Sequence, residues 1–116
     1  VDAVVERFLA IWRFVLTQSQ CESGCAVLAV TVATDSAELL SHATTVFRAW
    51  RERLAQLLRR SGLPAAAAKR FATVMIASVE GAVVLSRAER SLEPFEIVAT
   101  QLMEQAHAMM AAKSKG

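Results

Sequence analysis

At 116 residues, 54% hydrophobic and 21% charged, the chain has the length of one domain and far too much apolar surface to be disordered. A net charge of +2 excludes a nucleic-acid surface built from clustered, uncompensated Lys and Arg. Cys21 and Cys25 are too few for a disulfide framework and lack the further ligands of a zinc site, so a reducing, cytoplasmic setting is expected.

The chain holds 22 Ala and 12 Leu against 4 Gly and 2 Pro. Ala and Leu lose little entropy in a helix, which predicts an all-α domain of about five helices. The first covers 2–18, with Val5, Phe8, Leu9, Trp12, Val15 and Leu16 at the three-and-four spacing of one helical face. A polar loop over 19–24 follows. The run 25–34 (CAVLAVTVAT) suits a buried strand or a buried helix. No partner strand exists for it elsewhere, and a lone strand leaves its backbone unpaired, so helix is the reading.

The third helix begins at Asp35, with Glu38 three residues on as in a capping box. Its apolar series is Leu39, Ala43, Val46, Phe47, Trp50, Leu54, Leu57 and Leu58. Arg48, Arg51, Glu52, Arg53, Arg59 and Arg60 lie opposite, a solvated face. Gly62 closes the helix through a left-handed turn, and Pro64 starts the next.

The fourth helix, 64–90, is apolar on two sides. Phe71, Val74, Met75, Ser78, Val79, Ala82, Leu85 and Ser86 form one face; Ile76, Val83, Val84 and Arg87 form another. Pro94 opens a fifth helix reaching about residue 112, with Phe95, Val98, Leu102, Ala106 and Met109 on one side and Ala99, Met103 and Met110 on the other. Residues 113–116 read as a frayed tail. A helix apolar on two sides must be buried on two sides, so a second chain is expected to cover the outer ones. Gly81 in mid-helix costs ~1 kcal/mol relative to Ala, which close approach of another helix would offset. The interface expectation is therefore Ile76, Glu80, Gly81, Val83, Val84, Arg87, Ala99, Met103 and Met110.

Chemistry is sparse. Glu104-x-x-His107 has the spacing of half a di-metal carboxylate site, but no second such pair exists, and a solvated polar face is the plainer reading. No metal, cofactor or catalytic group is expected. Cys25, at a helix start, reads as a small buried hydrophobe rather than a redox group. Val1-Asp2 lacks the basic opening of a signal peptide, and Glu80 interrupts the most apolar stretch, so no membrane partner is expected. Phe8, Trp12, Phe47, Trp50, Phe71 and Met75 are core positions that could also wall a cavity.

Taken in order, Gly24-Cys25-x-Val27, Phe47-x-x-Trp50-x-x-x-Leu54, Gly62-Leu63-Pro64 and Glu80-Gly81-Ala82-x-x-Leu85-x-Arg87-Ala88-x-Arg90, with Pro94 opening the last helix, resemble the C-terminal domain of TetR-family transcriptional regulators. The similarity is to the LmrA/YxaF-like subgroup. Ala26 stands where that subgroup usually has Pro.

The resemblance implies an effector-sensing and dimerisation domain over 1–112, whose last two long helices form a four-helix bundle with those of a partner chain. It implies operator DNA bound only through an N-terminal helix-turn-helix absent from this chain. It also implies a small-molecule pocket, for which Val15, Leu28, Val32, Ser78 and Val79 join the six residues just named. Two other readings stand beside it: a structural dimerisation or adaptor module with a filled core, and a small metal-dependent helical enzyme.

Overall fold

A computed structural model describes residues 1–21 and 24–115, with side chains through residue 112. Five α-helices follow one another: α1 (Asp2–Gln18), α2 (Ala26–Ala33), α3 (Ala37–Arg60), α4 (Ala65–Glu89) and α5 (Glu93–Lys115). No strand occurs among the described residues. The order matches the periodicity of the sequence, and the apolar run after Gly24 is a helix.

Helix ends follow local chemistry. Ser36, not Asp35, caps α3: its Oγ accepts the Leu39 N–H at 3.3 Å. The Thr34 hydroxyl accepts the Ser36 N–H at 3.0 Å, which fixes the turn one residue later than the capping-box spacing suggests. Gly62 carries φ 114°, the left-handed stop that only glycine adopts freely. Without a glycine, α1 closes through Gln20 and Cys21 at φ 54° and 63°, and the Cys21 N–H reaches the Leu16 carbonyl at 2.8 Å. Helix α5 starts at Glu93, one residue before Pro94, and its helical backbone runs to Lys115.

Helix α4 is the axis of the fold and packs against α1, α3 and α5; α2 lies on α3, and α1 also lies on α5. Phe71, Met75, Val79, Ala82 and Val83 of α4 meet Val5, Leu9 and Leu16 of α1, Leu54 and Leu58 of α3, and Phe95, Ala99, Leu102 and Ala106 of α5 in one core. By length and composition α4 could cross a bilayer, but half of its most apolar window is already buried inside this domain.

The sidedness of α4 differs from the sequence reading. Ile76 and Val83 turn inward and are buried, whereas Val74 and Leu85 turn outward and are exposed. The helix is so uniformly apolar that periodicity alone does not fix its rotation.

Two polar links tie α1 to α5. Arg13 donates from Nε and Nη2 to the Glu96 carboxylate at 2.6 and 3.1 Å, and its guanidinium lies 5.6 Å from the centre of the Phe95 ring. His107 Nε2 lies 2.9 Å from Asp2 Oδ2. The α4–α5 turn is pinned by Ser86, whose buried hydroxyl accepts the Phe95 N–H at 3.1 Å.

The body is a flat slab, 46 × 32 × 16 Å, with a radius of gyration of 15.0 Å against about 13 Å for a compact domain of this length. Its accessible surface is 7231 Å², roughly 1,000 Å² above that of a folded monomer of this mass.

Candidate functional site

Helices α1, α3 and α4 line a half-open cavity of about 310 Å³. Phe8, Ile11 and Trp12 of α1 form one wall, Trp50, Arg53, Leu54 and Leu57 of α3 a second, and Ile76 and Glu80 of α4 the floor. Both tryptophans of the chain are among these residues. The volume lies at the lower end of the range for small-molecule sites, ~300–1,000 Å³.

A larger, more open groove of about 710 Å³ lies on the other side of the α3–α4 contact. Leu28 of α2, Phe47 and Arg51 of α3, and Thr73, Ala77, Gly81, Val84 and Leu85 of α4 line it. Ile76 and Glu80 border both hollows. Phe47 and Trp50, one helical turn apart, meet edge to face at 5.5 Å, and each faces one hollow. These two turns, one on α3 and one on α4, form the partition.

Glu80 is the one acidic group buried in that partition, at 7% exposure. Its Oε2 has no hydrogen-bond partner among the described residues. The Cys25 thiol, at the N-cap of α2, donates toward the carboxylate. Burial pushes the Glu80 carboxyl above the usual glutamate range, and the Cys25 hydrogen bond opposes this. Burial likewise raises the Cys25 thiol, so Cys25 is held as the neutral S–H donor. Arg53 Nη1 is taken by Gln56 Oε1 at 3.2 Å and Arg51 Nη1 by Thr73 Oγ1 at 3.4 Å.

Of the residues expected at a pocket, Phe8, Trp12 and Trp50 line the cavity, and Leu28 and Phe47 line the groove. Phe71, Met75 and Val79 are buried in the core. Val15 and Ser78 are half-buried outside both hollows, and Val32 lies on the surface at 74% exposure. Ile11, Arg53, Leu54 and Leu57 complete the wall and were not foreseen. Leu54 and Leu57 belong to the apolar series of α3 and Ile11 stands three residues from Phe8, whereas Arg53, read as part of a solvated face, lines the cavity as well; only the angle between the helices brings these positions together.

Of the residues expected at a chain–chain interface, Ile76, Val83 and Ala99 are buried within the chain. Glu80 belongs to the cavity floor. Gly81, Val84 and Arg87 are exposed, and Met103 and Met110 are half-buried. The outer face of α4 instead presents Val74, Ala77, Gly81, Val84, Leu85 and Ala88, all exposed and uncharged at three-and-four spacing. A Cβ built on Gly81 meets nothing within 4 Å, so no close approach within the protomer explains this glycine. Glu104 and His107 are both exposed, with His107 engaged by Asp2. No group of three or more potential metal-binding side chains occurs among the described residues.

Residues 2–101 match the family of C-terminal domains of LmrA/YxaF-like transcriptional regulators. Two curated relatives are similar to the chain, the HTH-type transcriptional regulators MT0206 and Rv0196 of two Mycobacterium tuberculosis strains. Each is 28% identical over 109 residues, covering 88% of this chain and 54% of the relative. The chain thus spans about half the length of the curated relatives it matches. No solved structure matches it.

Proposed function

The chain belongs to the LmrA/YxaF-like C-terminal domain family of TetR-type transcriptional regulators, and from that membership we propose that it is the effector-binding and dimerisation domain of a transcriptional repressor. The observation that carries the effector reading is the aromatic cavity between α1, α3 and α4. A filled core, as in a purely structural module, has no such space. A small molecule seated there touches three helices at once and changes their relative placement.

The pocket is mechanically joined to the last helix. Phe8 and Trp12 wall the cavity from α1, and the next residue, Arg13, grips Glu96 of α5. Outward displacement of α1 by a ligand therefore pulls on α5. Operator DNA is bound through an N-terminal helix-turn-helix outside this sequence, and the effector releases it. Release requires that the effector bind the DNA-free arrangement more tightly than the DNA-bound one, since equal affinity shifts nothing. The setting for this activity is the cytoplasm.

Homodimerisation uses the outer face of α4 together with α5. The surface excess of roughly 1,000 Å² over a compact monomer is close to the ~800 Å² that each partner buries in a standard interface. Sedimentation of the chain at micromolar concentration tests this; the expected species is a dimer, and a stable monomer refutes it. Tryptophan fluorescence tests the pocket, because Trp12 and Trp50 both line it. A panel of small apolar molecules is expected to contain compounds that change the emission saturably. An emission that no member of such a panel changes refutes the effector reading.

A further inference from the structure

We propose that the cavity between α1, α3 and α4 takes a lipophilic organic cation, with its charge against the Glu80 carboxylate and its body against Phe8, Trp12 and Trp50. This rests on the effector-pocket reading and goes further, to the chemical class of the ligand.

The argument starts from what Glu80 lacks. A buried carboxylate is stable only when paired or hydrogen-bonded. Oε2 has neither among the described residues, and the Cys25 thiol is a weak donor. Among the described residues no cation lies at ion-pair distance from it: Arg53 at the cavity rim donates to Gln56, and Arg51 in the groove donates to Thr73. Oε2 is therefore open to a donor or a positive charge brought by a ligand.

The walls narrow the choice. Phe8, Trp12 and Trp50 line the cavity, and aromatic rings attract cations held within about 6 Å of a ring centre, Trp most strongly. Ile11, Leu54, Leu57 and Ile76 require an apolar body. An anionic ligand would find Arg53 at the rim but would meet the ionised Glu80 carboxylate deeper in as a like charge, and a neutral hydrocarbon would leave Oε2 as it is. An organic cation with an aromatic or alkyl body satisfies the carboxylate, the rings and the aliphatic wall together.

The test compares two probes of equal shape, benzyltrimethylammonium and its neutral carbon isostere neopentylbenzene, by tryptophan fluorescence on the full chain. Wild type is expected to bind the cation at least tenfold more tightly, about 1.4 kcal/mol. In Glu80→Gln, checked for folding by circular dichroism, the two affinities are expected to converge. Equal affinities in wild type, or a preference that persists in folded Glu80→Gln, overturn the cation assignment while leaving the cavity as a ligand site. Binding of neither probe overturns the assignment together with the pocket reading beneath it. The wild-type comparison decides the matter even if the variant fails to fold.

Discussion

Glu80 and Gly81 are neighbours on α4 that both border the groove but differ in depth. Glu80 is buried in the wall shared by the cavity and the groove, while Gly81 faces outward with open space where a Cβ would stand. The ~100° step between successive helical residues is enough to separate a buried position from an open one.

Gly81 gives the sharpest test of the outer face. Gly81→Ala is expected to stabilise an isolated protomer by about 1 kcal/mol, the helix propensity gained in open space. Gly81→Leu is expected to convert the dimer to a monomer without loss of helix, because the added side chain is accommodated in the protomer but not between two closely packed helices. Sedimentation reads the mass and circular dichroism the helix content. A Leu variant that remains dimeric moves the interface away from this stripe.

Glu80 predicts a pH dependence with a definite sign. Burial raises its carboxyl above the unfolded glutamate value, so folding favours the protonated form. The corresponding stability is fully present below the unfolded pKa and is lost as pH rises through the folded one. Of the groups facing it, the Cys25 thiol comes from α2 and Arg51 and Arg53 from α3, while α1 contributes only Phe8, Ile11 and Trp12. Relative to Glu80→Gln, wild type is expected to lose melting temperature as pH rises from the ordinary glutamate range toward neutrality. Parallel melting curves for the two proteins would contradict this.

A bound cation reverses the preference, because it stabilises the carboxylate. Affinity for benzyltrimethylammonium is expected to rise with pH over the same interval, with release of a proton on binding. Calorimetry in buffers of different ionisation enthalpy measures that proton. A pH-independent affinity is the opposing result.

Ser86 supports the start of α5. That helix begins after Leu92, a residue without a capping oxygen, and the Ser86 hydroxyl takes the Phe95 N–H instead. Ser86→Ala leaves this buried donor unsatisfied and is expected to cost about 1–3 kcal/mol, read by chemical denaturation. Arg13→Ala is expected to cost no more than ~1 kcal/mol despite its short contacts, because its ion pair with Glu96 is substantially exposed.

The five helices were legible because apolar residues recur at helical spacing and because Gly62 and Pro64 mark a boundary. The rotation of α4 was not legible. Val74, Ile76, Val83 and Leu85 are all apolar, and only the angles at which α1, α3 and α5 meet α4 decide which of them are covered. The cap of α3 was ambiguous for a similar reason: Asp35 and Ser36 are both competent, and the Thr34 hydroxyl selects Ser36. For the cavity, the sequence supplied Phe8, Trp12 and Trp50 as bulky faces and marked Glu80 as an unusual buried acid. It did not show that the acid lies beside those rings, since that is a tertiary distance with no trace in local spacing.

Helix α1 is held to α5 near both of its ends, by Asp2 with His107 and by Arg13 with Glu96. Both contacts are substantially exposed, and Val5, Leu9 and Leu16 seat the rod in the common core. On the proposed function, a guest wedged beneath Phe8 and Trp12 would shift the rod together with its neighbour. The domain would then transmit force as a strut does, by translation rather than by flexing.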